Sequence, residues 1–245
     1  MTNLIHITQA KQKAQEKEAS LLAFLADEVY SDQATLMRLI HVNNRSNMHR
    51  VLKRMEAKEL IKKETFELPT GKIALWGITE SGLMTCESLP HSPQRAFKPH
   101  LIKFTTLNHN LMRQRVQVDV THKGWTQWRN GDRQSFKEDF KVEHRPDAIV
   151  TTSEGTTVAI EVELSLKTPD RYRSIIKSHI TAKEKGYWKY VIYVVPNDNA
   201  KVALNRAFER VKYIQFDKSR YPIDTYRKGL IRIFKLDDVQ HLKQN

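Results

Sequence analysis

Two short stretches decide how this chain reads: Arg145-Pro146-Asp147-Ala148-Ile149-Val150 and, past a turn at Glu154-Gly155, Thr157-Val158-Ala159-Ile160-Glu161-Val162-Glu163-Leu164. Both are rich in β-branched and apolar residues, and the Gly-containing turn between them predicts a pair of neighbouring strands. Side chains alternate along a strand, so Glu161 and Glu163 point to one face while Ile160, Val162 and Leu164 point to the other. Asp147 opens the adjoining strand. Three carboxylates brought together repel one another unless a hard divalent cation lies between them. Asp147, Glu161 and Glu163 are therefore expected to coordinate Mg2+ or Mn2+, with Glu163 orienting or deprotonating a nucleophile.

Downstream, Lys167 lies close enough in the chain to reach back to these acids, where a cation stabilises charge developing on a phosphate. Pro169-Asp170 starts a helix whose inward row is Tyr172, Ile175, Ile176, His179 and Ile180. Should the substrate be a phosphodiester, Tyr172 is the best-placed tyrosine for attack and water the expected nucleophile. Tyr190 to Val195 is a near-continuous apolar strand, as expected for one buried on both faces. A helix over Asn199–Arg210, a strand over Val211–Phe216 and an edge or hairpin strand over Gly229–Leu236 complete an α/β fold with a mixed central sheet. Upstream, Leu107, Leu111, Met112, Val116 and Val120 mark a helix ended by Gly124, and Trp125–Phe140 reads as a short hairpin.

The front of the chain is different. Leu21, Leu22, Phe24, Leu25, Val29 and Tyr30 recur at helical spacing, Asp32 caps a second helix over Ala34–His41, and a third is expected from Ser46 to Ile61. Met48, Val51, Leu52 and Met55 face inward on that third helix. Asn44, Arg45, Asn47, His49, Arg50, Lys53 and Arg54 occupy its other face, and Asn and Arg are the residues that read adenine and guanine edges in a major groove. Lys62–Glu67 and Lys72–Ile78 flank Leu68-Pro69-Thr70-Gly71 as a hairpin, placing Lys72 beside its turn. The boundaries expected are residues 15–88 for a DNA-binding unit, a Pro-containing linker over 89–100, and 101–245 for the α/β unit.

Composition agrees with a polyanionic partner. The 245 residues include 41 Lys and Arg against 28 Asp and Glu, a net charge of +13, and such an excess attracts nucleic acid through counterion release. The lone cysteine, Cys86, excludes an internal disulfide framework and a cysteine-rich zinc site. No apolar run approaches the roughly 20 residues that span a bilayer, so a cytoplasmic protein without membrane insertion is expected.

The first unit, with three helices, a hairpin and Thr79-Glu80-Ser81-Gly82 after it, resembles winged helix-turn-helix modules. Pro146-Asp147, followed fourteen positions later by Glu161-Val162-Glu163, resembles the PD-(D/E)xK superfamily of restriction-endonuclease-like nucleases. Glu163 departs from the pattern by standing where most members carry lysine, and Lys167 is the relocated candidate. The combined arrangement resembles replication-relaxation proteins, and more narrowly the MobC-type relaxases of mobilisable plasmids. That resemblance implies metal-dependent nicking of one strand at an origin of transfer, with double- and single-stranded DNA, an accessory relaxosome protein and a type IV coupling protein as partners. The His-hydrophobic-His motif of other relaxases is missing: Asn108-His109-Asn110 has no second histidine in register. Two other tasks fit the same residues. One is a transcription or replication regulator with an inactive nuclease-like domain, the other a site-specific endonuclease making double-strand cuts.

Overall fold

A computed structural model of the chain describes residues 2–69, 71–86, 93 and 95–242. It divides into two compact units, one reaching to Gln114 and one running from Arg115.

In the first unit, α1 (Thr2–Glu28), β1 (Tyr30–Asp32), α2 (Gln33–Leu39) and α3 (Arg45–Ala57) precede β2 (Ile61–Leu68), β3 (Gly71–Ile78) and α4 (Glu80–Met84). The short strands form an antiparallel sheet in the order β1-β3-β2. Local chemistry sets the helix starts. The side chains of Asp32, Asn44 and Thr79 accept hydrogen bonds from Thr35 N (2.7 Å), Asn47 N (3.0 Å) and Gly82 N (3.0 Å), satisfying amides that have no partner within the helix. The third helix is shorter than the apolar spacing implies. Lys58 caps it, and Glu59 takes a left-handed conformation (φ 58°) that turns Leu60 and Ile61 into β2. Leu21, Leu25, Leu36, Met48, Leu52, Met55 and Ile78 are buried.

The proline-containing linker lies partly outside the described residues, Pro90 included. Its end is packed rather than free: Phe97 is buried with Val29, Leu75, Leu107 and Leu111, and its amide donates to Ile78 O at 2.8 Å. A Cβ on Gly77 would overlap the Phe97 ring at 2.1 Å, so only glycine lets that ring lie on β3. After a 3-10 turn (Pro99–Leu101), α5 (Phe104–His122) begins in the first unit and ends in the second. Its first half carries Arg113, which grips buried Glu28 bidentately at 2.6 and 3.0 Å, and Gln114, which bonds Ser31 and the Tyr30 carbonyl. These buried partners are why the first unit extends to Gln114, beyond the boundary that prolines alone imply.

The second unit continues with β4 (Thr126–Asn130), α6 (Gln134–Asp139), β5 (Ala148–Thr151), β6 (Thr157–Val162), α7 (Pro169–Glu184), β7 (Val191–Val195), α8 (Asp198–Glu209), β8 (Tyr213–Phe216), β9 (Ser219–Pro222), α9 (Asp224–Leu230), β10 (Ile231–Lys235) and α10 (Leu236–Val239). A mixed five-stranded sheet runs β10-β7-β6-β5-β4, with β10, β7 and β6 parallel and β5 and β4 antiparallel. The unit is thus α/β with a mixed central sheet, as its alternating helices and strands imply.

Two details differ from the sequence reading, and a third settles an alternative it left open. Trp125–Phe140 is not a hairpin, since Thr126–Asn130 pairs with β5 and Gln134–Asp139 is helical. Tyr213–Phe216 leaves the central sheet and pairs with Ser219–Pro222. The Ile231–Lys235 strand is an edge strand, parallel to β7. Strand propensity identifies extended segments but carries no address for the partner. No helix among the described residues is long and apolar enough to cross a membrane.

Candidate functional site

The site is built at the end of β6, where the sheet meets α7. Thr168 caps α7 through Arg171 N and Pro169 occupies its first turn, a start that suits a residue without an amide hydrogen. From there Tyr172, Ile175, Ile176, His179 and Ile180 form a buried row at helical spacing. Two members of that row are polar, and each meets a glutamate, one in β6 and one directly after it.

Glu161 sits within β6, in register with Tyr193 of β7. Its Oε1 lies 2.7 Å from His144 Nε2 and 3.0 Å from His179 Nε2. His179 is fully buried, and the His144 side chain is 17% exposed. His144 is held in turn by α7: its amide donates to Ser178 Oγ at 3.0 Å, and that hydroxyl donates to its carbonyl at 3.3 Å. Burial pushes the Glu161 carboxyl up, but the two imidazole hydrogen bonds outweigh it and hold the group at about 2. His144, Glu161 and His179 each offer one ligand atom, all within 4.8 Å of one another, and among the described residues they are the group able to hold a metal ion.

Glu163 follows β6 directly, anchored by its amide to Val194 O at 2.9 Å. Its carboxylate accepts from Lys167 Nζ at 2.6 Å on both oxygens and from the Tyr172 hydroxyl at 3.1 Å. Burial raises Glu163 above its ordinary value. The Lys167 ammonium and the Tyr172 hydroxyl draw it partly back, and the nearby Glu161 charge adds to the rise. Two carboxylates two residues apart are thus driven in opposite directions. Tyr172 is itself fully buried, accepts from Lys167 N at 3.2 Å, and burial raises its hydroxyl. A hydroxyl so held positions Glu163 and is poorly placed as a nucleophile.

Asp147 stands immediately before β5, and its Oδ2 accepts from Val162 N at 2.6 Å, the amide between the two glutamates. Its loop is fixed by Gly131, whose amide donates to Asp147 O at 2.9 Å and whose carbonyl accepts from Arg145 at 3.0 Å. A Cβ on Gly131 would lie 1.8 Å from Pro146 O, so glycine is required for this approach. The three acids therefore meet around Val162, but they do not form one ligand set. Glu161 turns to the histidines, Glu163 to Lys167 and Tyr172, and Asp147 to the backbone.

Below them, the Tyr193 hydroxyl is buried without a hydrogen-bond partner. Burial and the charges of Glu161, Glu163 and Asp147 raise it well above its ordinary value.

The other predicted residues are on the surface of the first unit. Asn44, Arg45, Asn47, His49, Arg50, Lys53 and Arg54 are all exposed along α3, opposite buried Met48, Leu52 and Met55. Several are engaged within the unit. Arg50 bonds Asn47, Lys53 pairs with Glu56 at 2.7 Å, and Arg54 pairs with Glu18 of α1 at 2.5 Å alongside Lys58. Lys72, at the start of β3, pairs with Glu67 at 2.7 Å with both side chains largely in solvent. Arg54 therefore serves its own fold, whereas Asn44 caps α3.

No family model, curated protein or solved structure matches the chain. The site rests on its own geometry. Sequence reasoning missed His144, although it directly precedes Arg145-Pro146-Asp147, and His179, although it stands in the apolar row of α7. A histidine at a position whose helical neighbours are all core residues was the available signal.

Proposed function

We propose that this chain is a metal-dependent DNA-nicking enzyme of the relaxase type. In this reading a winged helix engages duplex DNA through α3, and a nuclease domain cuts one strand at an origin of transfer. The observation that carries the proposal is the bond from Val162 N to Asp147 Oδ2, which brings the carboxylate that precedes β5 to the backbone amide lying between Glu161 and Glu163 in the chain. A net charge of +13 supports a polyanionic substrate.

The donor chemistry fits a divalent cation: Glu161 offers a carboxylate oxygen and His144 and His179 each offer an imidazole nitrogen, all within 4.8 Å of one another. When bound, such an ion supplies positive charge to a scissile phosphate and lowers the cost of attack. The chain's own residues do the rest. Glu163, with a raised proton affinity, takes the proton of an attacking water. The water oxygen forms a bond to phosphorus, one P–O ester bond breaks, and the leaving oxygen takes a proton from solvent. Lys167, held at 2.6 Å from Glu163, keeps that carboxylate in place and brings a cation to the phosphate. Tyr172 fixes Glu163 from behind. Within a relaxosome, an accessory plasmid protein and a type IV coupling protein complete the assembly.

The test is incubation of purified protein with supercoiled plasmid and Mg2+, Mn2+ or Zn2+. Open circles that disappear with Asp147→Ala support nicking. Linear product points to an endonuclease making double-strand cuts. Bound, uncut DNA under every metal points to a regulator with an inactive nuclease-like domain and overturns the enzymatic reading.

A further inference from the structure

We infer that His144, Glu161 and His179 form a site for a first-row transition-metal dication such as Zn2+, Fe2+ or Mn2+, and that this site discriminates against Mg2+. Its part in strand cleavage rests on the nuclease reading above; the binding itself rests on geometry alone.

Spacing is the first argument. Ligand atoms about 2.1 Å from a common ion are about 3.0 Å apart in adjacent octahedral positions and about 3.4 Å apart in tetrahedral ones. The two Nε2–Oε1 separations, 2.7 and 3.0 Å, lie close to the first value, and the full set falls within 4.8 Å. Donor type is the second. Two imidazoles and one carboxylate suit zinc and iron, whereas Mg2+ demands oxygen donors and releases its waters reluctantly. Mn2+, tolerant of oxygen and nitrogen, is the weakest binder expected of the three.

Preorganisation is the third. The ligands come from three separate elements: the loop before β5, β6 and α7. Ser178 clamps the His144 backbone, and the Trp188 ring packs edge-on against His179 with centroids 5.8 Å apart. An apolar wall of this kind keeps solvent from competing for the ion. The Tyr193 hydroxyl, across the β6–β7 pair from Glu161 and without a partner, adds a buried polar group at the cluster that the protein itself leaves unsatisfied. Leaving such a group bare is costly to the fold. In the rival arrangement the three side chains form only a hydrogen-bonded cluster, each Nε2 carries a hydrogen toward Glu161, and no ion binds.

The experiment is calorimetric titration of the full, chelator-stripped protein with ZnCl2, MnCl2 and MgCl2, with circular dichroism to verify folding of each variant. One equivalent of Zn2+ binds, Mn2+ binds more weakly, and Mg2+ at the same concentration gives no saturable heat. His144→Gln and His179→Gln each weaken Zn2+ by at least ~10-fold, since even substitutions behind a ligand cost about that much. Because His179 is fully buried and its variant can fail to fold, the partly exposed His144 decides the mutational arm. Electron spin-echo modulation of the Mn2+-loaded protein supplies a second readout: imidazole nitrogen couplings in the wild type, reduced in His144→Gln.

Failure of the folded wild type to bind Zn2+ and Mn2+, affinity unchanged in folded His144→Gln, or Mn2+ without nitrogen coupling would each overturn the inference. Binding as described without plasmid nicking removes the nuclease reading and leaves the site. Nicking by Mg2+ alone, at wild-type rate in His144→Gln, removes the site's part in cleavage and leaves the nuclease.

Discussion

Two helices of this chain, α3 and α7, send their polar side chains in opposite directions. In α3 the apolar row Met48, Leu52 and Met55 is buried and every predicted DNA contact, from Asn44 to Arg54, lies in solvent. In α7 the buried row itself contains Tyr172 and His179, hydrogen-bonded to Glu163 just after β6 and to Glu161 within it. An exposed polar group is hydrated either way, so its loss is worth little to the fold. A buried one must be partnered, and its partner changes its chemistry. The comparison teaches where reactivity is concentrated: beside α7, where burial raises Glu163 while two imidazoles hold Glu161 low, whereas α3 offers many small and replaceable contributions.

The sharpest way to break this contrast is Glu161→Ala. It removes the one carboxylate that both histidines approach, and plasmid nicking should fall to background while binding of labelled duplex DNA stays near wild type. Nicking that persists would mean that the buried cluster is structural. Glu163→Gln keeps size but replaces one accepting oxygen with an amide donor and cannot take a proton, and a drop of about 100-fold in the single-turnover nicking rate is expected. Tyr172→Phe removes one hydrogen bond to Glu163, worth roughly 1 kcal/mol, so the rate should fall no more than about tenfold. Complete loss, with a covalent protein–DNA adduct formed only by the wild type, would instead make Tyr172 the nucleophile.

On α3 the effects are smaller. Arg50→Ala should weaken duplex binding several-fold and lower the salt dependence of binding by about one counterion, read from fluorescence anisotropy at several salt concentrations. Arg54→Ala is expected to leave DNA affinity unchanged, because that guanidinium is engaged by Glu18. Stability should change by less than about 1 kcal/mol in urea unfolding, as for other surface ion pairs. An affinity loss from Arg54→Ala equal to that from Arg50→Ala would show that α3 does not divide its cations in this way.

Much of the architecture was legible in the residues. Asp32 and Pro169-Asp170 announce helix starts, the Tyr190–Val195 run announces a strand buried on both faces, and the alternation in Thr157–Leu164 puts Glu161 and Glu163 on one face of a strand beside Asp147. The separation of the acids was not. Equal carboxylates on one face look like a single ligand set until Lys167 closes on Glu163 and the histidines close on Glu161. Likewise, prolines between residues 89 and 100 mark a break in local structure. They do not reveal that Phe97 packs on Gly77, or that Arg113 pairs with Glu28 across 85 residues of chain.

What the amino-acid sequence determined by itself was periodicity, capping and charge: an α/β unit with a mixed sheet, a helical unit with a hairpin, and a basic chain bearing acids at the end of one strand. These follow from interactions among residues a few positions apart, which a linear pattern records directly. Tertiary structure decided which acid acquired which partner. His144 and His179 reach one oxygen of Glu161 only because β6 pairs between β5 and β7 while α7 brings His179 against it. Pairing and packing of that kind depend on surfaces closing over long separations, and side-chain spacing along the chain has no means of encoding the distance between them.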